Sequence, residues 1–184
     1  LTLSYSKKVY DSFTISYYYD QSNLETIESI QNQKFSDGLS NQFALGYNDN
    51  TIWFKLVFDN QSKRDTFVLY LTEPLWSTFD LYVYKHDQWI VSENGLNTDL
   101  ENRNIHDVNP AFLLSLPTKE TTTLYIKGHS VSSLIGEFIL YTSHEYFNPT
   151  RFTITDFYTM YSVFFLPILL LNIFLLISMK EKIY

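Results

Sequence analysis

Alternating apolar and polar residues run through the middle of the chain. Residues 51–58 place four apolar side chains on one face, and residues 66–71 place three on one face. Turn signals such as Glu73-Pro74 and Asn94-Gly95 separate these runs from their neighbours. The same alternation continues in residues 79–84, 88–91, 111–116, 121–127 and 135–141. Several short runs of period two at this spacing predict an all-β sandwich or barrel.

One segment before these strands has the pattern of a helix start. Ser22-Asn-Leu-Glu25 fits a capping box, in which the Ser hydroxyl and the Glu carboxylate satisfy free backbone N–H groups. Leu24, Ile27 and Ile30 would then share one apolar face. We predict a short helix that begins at Ser22 and ends at about residue 32.

The C-terminal part of the chain contains a long uncharged segment. Residues 157–179 carry no charge, and a helix of this length can cross the core of a bilayer. A buried core helix is the alternative, but such helices are usually shorter. Lys180 and Lys182 follow the segment, whereas only Arg151 lies close before it. The positive-inside rule therefore predicts a cytoplasmic C-terminus and an outside location for residues 1–150.

This pattern divides the chain into two parts. We expect a domain in residues 1–150, and an anchor in residues 151–184 whose span lies at about 157–179. Asn172 is a polar residue within the span, and it predicts contact with a further helix, with lipid exposure near the interface as the alternative. The chain starts at Leu1 without a signal-like segment, so we expect a mature or trimmed start from which any signal peptide is removed.

The composition narrows the possible partners and chemistry. Lys and Arg number 13 against 20 Asp and Glu, a net charge of −7, so nucleic acid is not an expected partner. Cysteine is absent, and the four His residues lack the short spacing of metal ligands, so we expect neither a metal site nor a cofactor. Acidic residues are numerous enough for a glycosidase-type pair, but no motif marks one. The sequence contains no nucleophile or phosphate-loop motif, and we predict no catalytic residue.

Aromatic residues on the strand faces opposite the aliphatic ones form a candidate binding surface. The candidates are Trp53, Tyr82, Tyr84 and Tyr125. Aromatic rings stack on sugar rings and tolerate water at their edges, so this surface suits a saccharide or a small organic ligand. A second packing face, or ordinary cross-strand aromatic pairs, is the alternative interpretation.

A polar loop supplies two further candidates. Arg103 and His106 lie in an Asn-rich loop between Asn102 and Pro110. Exposed loops often carry binding residues, and Arg presents a forked set of donors to hydroxyl or carboxylate oxygens. A solvated loop that binds nothing is the alternative.

A set of short motifs points to a known family. Residues 45–60 read Leu-Gly-Tyr-Asn-Asp-Asn-Thr-Ile-Trp-Phe-Lys-Leu-Val-Phe-Asp-Asn. Further motifs follow in order: Pro74-Leu75, Asp80-Leu-Tyr82, Trp89, Gly95, Arg103, Ile105-His106, Phe112, Leu116-Pro117, Leu124-Tyr125 and Ser132-Ser133. In these motifs the chain resembles the second type of extracellular domain found in bacterial seven-transmembrane receptors with diverse intracellular signalling modules. Asn172-Ile-Phe-Leu is similar to part of the first transmembrane helix of such receptors. Asp107 departs from the pattern, because the family usually has a basic residue there.

The resemblance implies a fold, a location and partners. It implies a jelly-roll-like β-sandwich with one short N-terminal helix, followed by a single transmembrane α-helix in the bacterial inner membrane. The expected function is that of a ligand-sensing, non-enzymatic ectodomain, and the expected partners are a carbohydrate or small-molecule ligand, the membrane, the remaining transmembrane helices and a cytoplasmic signalling module. A membrane-anchored carbohydrate-binding or adhesion module without signalling is the alternative. The sequence that follows Tyr184 in the gene would distinguish the two.

Overall fold

The alternating segments form a two-sheet sandwich in a computed structural model that describes residues 1–148 and 154–180. The chain separates into two units, Leu1–Phe147 and Asn148–Tyr184. The predicted boundary between residues 150 and 151 lies outside the described residues, as do Arg151, Lys182 and Tyr184.

Twelve strands are present in the described residues, and they form two sheets. The strands are β1 (Thr2–Leu3), β2 (Val9–Tyr10), β3 (Thr14–Asp20), β4 (Ser36–Ser40), β5 (Gln42–Tyr47), β6 (Thr51–Asn60), β7 (Thr66–Leu71), β8 (Thr78–Lys85), β9 (Gln88–Ser92), β10 (Ala111–Ser115), β11 (Thr121–His129) and β12 (Ser133–Thr142). The larger sheet has the order β4-β3-β6-β11-β8-β9, with β1 added in parallel beside β6. The smaller sheet has the order β10-β7-β12-β2, with β5 paired to β12. All pairings in the described residues except β1–β6 are antiparallel.

The seven strands expected from alternation are confirmed as β6 to β12, with ends that differ by at most two residues. The pattern did not identify β1, β2, β4 and β5. Two of these have only two residues, and β4 reads Ser-Asp-Gly-Leu-Ser without an apolar face. β4 is one edge of the larger sheet, and all its residues except the half-buried Leu39 are exposed, so it has no buried face for alternation to reveal.

The inner faces of the two sheets meet in one aromatic-rich core. The predicted inward face of β6 is confirmed, because Ile52, Phe54, Leu56 and Phe58 are all buried in this core. Trp76 packs against Gly128 of β11, where an added Cβ would lie 2.7 Å from the indole ring. The Trp76 indole Nε1 donates to the carbonyl of Ile135 at 3.1 Å, which fixes the ring in this slot.

The predicted helix exists, but the predicted cap at Ser22 is wrong. Helix α1 spans only Ile27–Ile30, and Thr26 is its N-cap. The capping box is reciprocal: the Thr26 hydroxyl accepts from the Ser29 N–H at 3.4 Å, and the Ser29 hydroxyl accepts from the Thr26 N–H at 2.9 Å. The sequence therefore predicts the correct type of cap, a capping box, but places it four residues before the actual N-cap.

The residues around Ser22 form a turn that Asp20 organises. The buried Asp20 carboxylate accepts from the Ser22 hydroxyl at 2.6 Å and from the Glu25 N–H at 2.8 Å. Burial acts to raise the pKa of Asp20, but these hydrogen bonds, with those from the Ser22 and Asn23 backbone, outweigh it and lower the pKa. The Ser22 hydroxyl oxygen accepts from the Leu24 N–H at 3.1 Å within this turn, and the helix begins only after Thr26, which leaves Leu24 80% exposed. We term residues 21–35, which include this turn and helix α1, the α1 segment.

The short helix α2, Ser143–Tyr146, lies near the end of the first unit, and the second unit contains one long apolar helix. Helix α3 spans Ile154–Lys180, and its part Asp156–Ser178, with a mean hydropathy of 2.4, is long and apolar enough to cross a membrane. The side-chain amide of Asn172 donates to the carbonyl of Ile168 in the same helix at 2.8 Å. This bond satisfies one amide donor within the helix, and contact of Asn172 with a further helix stays a prediction.

A candidate ligand-binding groove

An open groove forms on the outer face of the larger sheet, at the point where β8 leaves β11. β8 pairs with β11 only from Leu124 to His129, whereas β6 pairs with β11 on its other side from Thr121 onward. The first three residues of β11 are therefore flanked by a strand on one side only. The gap has a volume of about 680 Å³. Its lining residues are Gln31, Lys55, Val83, Tyr84, Lys85, Trp89, Ser115, Pro117, Glu120, Thr121, Thr122, Thr123 and Tyr125.

A two-residue turn places the aromatic wall of this groove. His86 and Asp87 have φ values of 50° and 60°, the left-handed conformation that a tight hairpin turn needs at both central positions. The turn sets the register of β8 and β9, so that Tyr84 lies opposite Trp89. Their rings meet edge to face, with centroids 5.2 Å apart.

The aromatic wall continues across the sheet. The Trp89 ring lies 5.9 Å from the Tyr125 ring, and the Tyr125 ring lies 5.9 Å from the Phe35 ring of the α1 segment. Tyr84 is 53% exposed, whereas Tyr125 is 7% exposed. Tyr84 and Trp89 therefore offer ring surface to a ligand, and Tyr125 supports them and presents only an edge.

Polar side chains complete the groove. Thr121 and Thr123 alternate with inward-facing residues at the start of β11 and carry hydroxyl groups that can donate and accept. Lys55 projects from the middle of β6, with its Nζ atom 5.9 Å from the Phe35 ring and 6.0 Å from the Tyr125 ring. Lys85 lies at the end of β8. An apolar wall beside a few polar groups is the usual composition of a small-molecule site.

Trp53 does not belong to the exposed surface that alternation predicted. It faces outward from β6 but is fully buried, because Ile27 and Ile30 of α1 pack over it. Tyr82 lies beside it at 5.4 Å between ring centroids, and the Lys127 Nζ atom lies 5.3 Å from its ring. In the described residues the Trp53 Nε1 atom has no hydrogen-bond partner. The alternative interpretation, a second packing face, describes this part of the sheet.

Tyr82 and Tyr125 keep their phenol protons near neutral pH. Burial raises the pKa of both hydroxyl groups, and the charges of Asp80, Glu93 and Glu28 raise that of Tyr82 further. Tyr82 is half-buried, and it does not line the groove.

Arg103 and His106 lie outside the groove. The Arg103 guanidinium donates to three backbone carbonyls: Nη2 to Gly95 at 2.6 Å, Nε to Thr98 at 3.2 Å and Nη1 to Asp107 at 3.1 Å. The forked donors that the sequence offered to a ligand therefore hold the β9–β10 connection together. His106 is exposed, and it does not line the groove.

Asp107, the departure from the family pattern, also has a structural partner. Its carboxylate accepts from the Tyr146 hydroxyl at 2.5 Å and from the Asn109 N–H at 3.1 Å. Tyr146 belongs to the short helix α2, Ser143–Tyr146, which packs on the outer face of the smaller sheet. This acidic residue thus fastens the loop to the end of the domain.

Sequence reasoning placed two of its candidates, Tyr84 and Tyr125, at the groove and missed several of its other residues. Trp89 is not among the candidates of the sequence analysis. Counting outward from a two-residue turn at His86 and Asp87 pairs it with Tyr84, so the sequence does hold a signal for it. No comparable signal was available for Thr121, Thr123 and Lys85, because the gap between β8 and β11 is not encoded in either strand alone.

The described residues hold no group of three His, Cys, Asp or Glu side chains that could bind a metal ion.

A comparison with protein families matches residues 13–142 to the model described as 7TMR-DISM extracellular 2. The apolar part of α3 follows this match in the chain and could be the first transmembrane helix of such a receptor. A comparison with curated proteins returned no match.

Proposed function

Because the chain belongs to the 7TMR-DISM extracellular 2 family, we propose that its first unit, Leu1–Phe147, is the ligand-sensing ectodomain of a bacterial membrane signalling receptor. We term this unit the β-domain. The family suggests a sensory ectodomain of a membrane receptor and is non-catalytic in itself. An extracellular domain followed by an apolar helix indicates a membrane-anchored protein with an outside segment. We further propose that the membrane is the bacterial inner membrane and that the β-domain faces the periplasm or the exterior.

The groove on the outer face of the larger sheet is the observation that carries the proposed ligand site. Tyr84 and Trp89 provide ring surface, and Thr121 and Thr123 provide hydroxyl groups on the opposite side. Rings that stack on the apolar face of a sugar, together with partners for its hydroxyls, fit a carbohydrate or a small organic ligand. The groove is open, so it buries less of a ligand than a deep cleft, and we expect modest affinity.

The proposed ligand site does not include the loop of Arg103 and His106 that the sequence suggested. Arg103 already donates to backbone carbonyls, and Trp53 lies beneath the α1 segment. We therefore assign ligand contact to Tyr84 and Trp89, and a supporting role to Tyr125, Tyr82 and Trp53.

A binding screen with matched tyrosine variants tests this proposal. The whole chain, in detergent or in lipid nanodiscs, would be screened by thermal shift and calorimetry against mono- and oligosaccharides and small organic acids. Tyr84→Ala should weaken any hit about fivefold, since stacking on an aromatic ring contributes about 1 kcal/mol. Tyr47→Ala is the control, because Tyr47 is similarly exposed but does not line the groove.

Two results would contradict the proposal. The first is a complete absence of hits, and the second is equal weakening of a hit by Tyr84→Ala and Tyr47→Ala. A hit that binds in the groove but leaves the output of the full receptor unchanged would favour the alternative, an adhesive or carbohydrate-binding module without signalling.

A further inference from the structure

Two lysines of the groove lack a carboxylate partner. In the described residues the salt bridges join Lys7 to Asp11 and Lys8 to Glu145, and neither Lys55 nor Lys85 takes part in one. Lys55 lies in the middle of β6, in the interior of the larger sheet, and its side chain is only half-buried toward the groove. An anion within reach of such an ammonium group would be held by charge-assisted hydrogen bonds.

The surroundings of Lys55 do not supply that anion. Its cross-strand neighbour Ser16 donates to the Asp37 carboxylate at 2.6 Å, and Asp37 forms no salt bridge with Lys55 in the described residues. The rings of Phe35 and Tyr125 lie at 5.9 and 6.0 Å from Nζ, at the outer limit of cation–π attraction. The three donors of the ammonium group therefore remain available on the groove side.

The side chains that line the groove have a positive net charge, whereas the whole chain is acidic. Its lining includes the cations Lys55 and Lys85 and one carboxylate, that of the exposed Glu120. The chain as a whole has a net charge of −7. A locally positive groove on an acidic protein favours anionic ligands over neutral ones.

We propose that the groove selects an acidic saccharide, whose carboxylate binds the Lys55 ammonium while a sugar ring stacks on Trp89 and Tyr84. This inference rests on the proposed function, because it specifies the ligand of the same site. A neutral sugar can use the aromatic wall and the threonine hydroxyls, but it leaves the lysine donors without a charged partner. A charge-assisted hydrogen bond should favour the acidic ligand by at least about tenfold in affinity, and less at high salt.

Matched pairs of acidic and neutral glycans test this inference. The probes are digalacturonate with galactobiose and sialyllactose with lactose, and citrate serves as a carboxylate without a sugar ring. Binding to the whole chain in nanodiscs would be measured at low and at physiological ionic strength. Lys55→Gln and Lys85→Gln remove the groove cations, and Lys63→Gln is the control, because Lys63 is exposed and lies outside the groove. Thermal melting of each variant reports whether it folds.

The expected result is preference for the acidic member of at least one pair, lost in Lys55→Gln and kept in Lys63→Gln. Lys85→Gln should reduce the preference in part, which keeps the test informative if Lys55→Gln fails to fold. Equal binding of acidic and neutral members overturns the inference and leaves the proposed function standing. Citrate binding as tight as that of the acidic glycans contradicts the saccharide part. Binding of no probe at all, neutral or acidic, counts against both.

Discussion

Asp80 is a carboxylate whose ionisation opposes folding. It lies half-buried on the outer face of β8, opposite Lys127 of β11. Burial raises the pKa of its carboxyl group from 3.8 to about 6, and the charge of Glu93 adds to this effect. The backbone N–H of Asn94 and the Lys127 ammonium act in the opposite direction without cancelling it. We predict that Asp80→Asn stabilises the β-domain near neutral pH.

The size of the effect follows from proton linkage. A carboxyl group whose pKa is raised on folding binds its proton more tightly in the folded state, so its unfavourable contribution is absent below pH 3.8 and complete above about pH 6. A rise of the pKa from 3.8 to about 6 corresponds to about 3 kcal/mol. Because solvent still reaches this side chain and screens the charge, we expect a gain of about 1 kcal/mol at pH 7.5 and no gain at pH 3.5.

Chemical denaturation followed by tryptophan fluorescence measures this directly. All three tryptophans of the chain, Trp53, Trp76 and Trp89, lie in the β-domain, so the signal reports its unfolding. Asp99→Asn is the control, since Asp99 is exposed and its side chain caps no helix. Destabilisation of the domain by Asp80→Asn at pH 7.5, or an equal effect at both pH values, would contradict this prediction.

Three further predictions concern packing, the β9–β10 loop and topology. Gly128→Ala should destabilise the β-domain by about 1–3 kcal/mol in denaturation experiments, because the added Cβ would overlap the Trp76 ring. An unchanged denaturation midpoint would contradict this close packing. Arg103→Ala should cost about 1–3 kcal/mol of stability by leaving carbonyls without donors, and calorimetry should find ligand affinity unchanged. Alkaline phosphatase, active only outside the cytosol, should be active when fused after residue 148 and inactive after residue 184, and the reverse result would refute the orientation.

The elements themselves were predictable from local patterns. Period-two alternation identified seven of the strands and the inward faces of β6 and β7, because a strand between core and solvent must alternate. The uncharged run likewise identified the apolar helix α3, since length and composition alone decide whether a helix can cross a bilayer. The short motifs identified the family, which the match to residues 13–142 confirms.

Which aromatic residues are open to a ligand depended on tertiary structure, as Trp53 and Tyr84 show. Trp53 and Tyr84 both point to the outer face of the larger sheet, and alternation treats them alike. The α1 segment covers Trp53 completely and leaves Tyr84 exposed, and that difference depends on where a distant loop packs.

Arg103 and the groove show the same limit. A guanidinium in a polar loop can bind a ligand or its own backbone, and only the folded loop shows that three carbonyls already accept its protons. The groove exists because the pairing of β8 with β11 ends at Val83 and Leu124. The register between these two strands, which lie about forty residues apart in sequence, sets where the pairing ends. Sequence therefore determined which faces are apolar, and the packing of distant segments decided which polar and aromatic side chains remain open to a ligand.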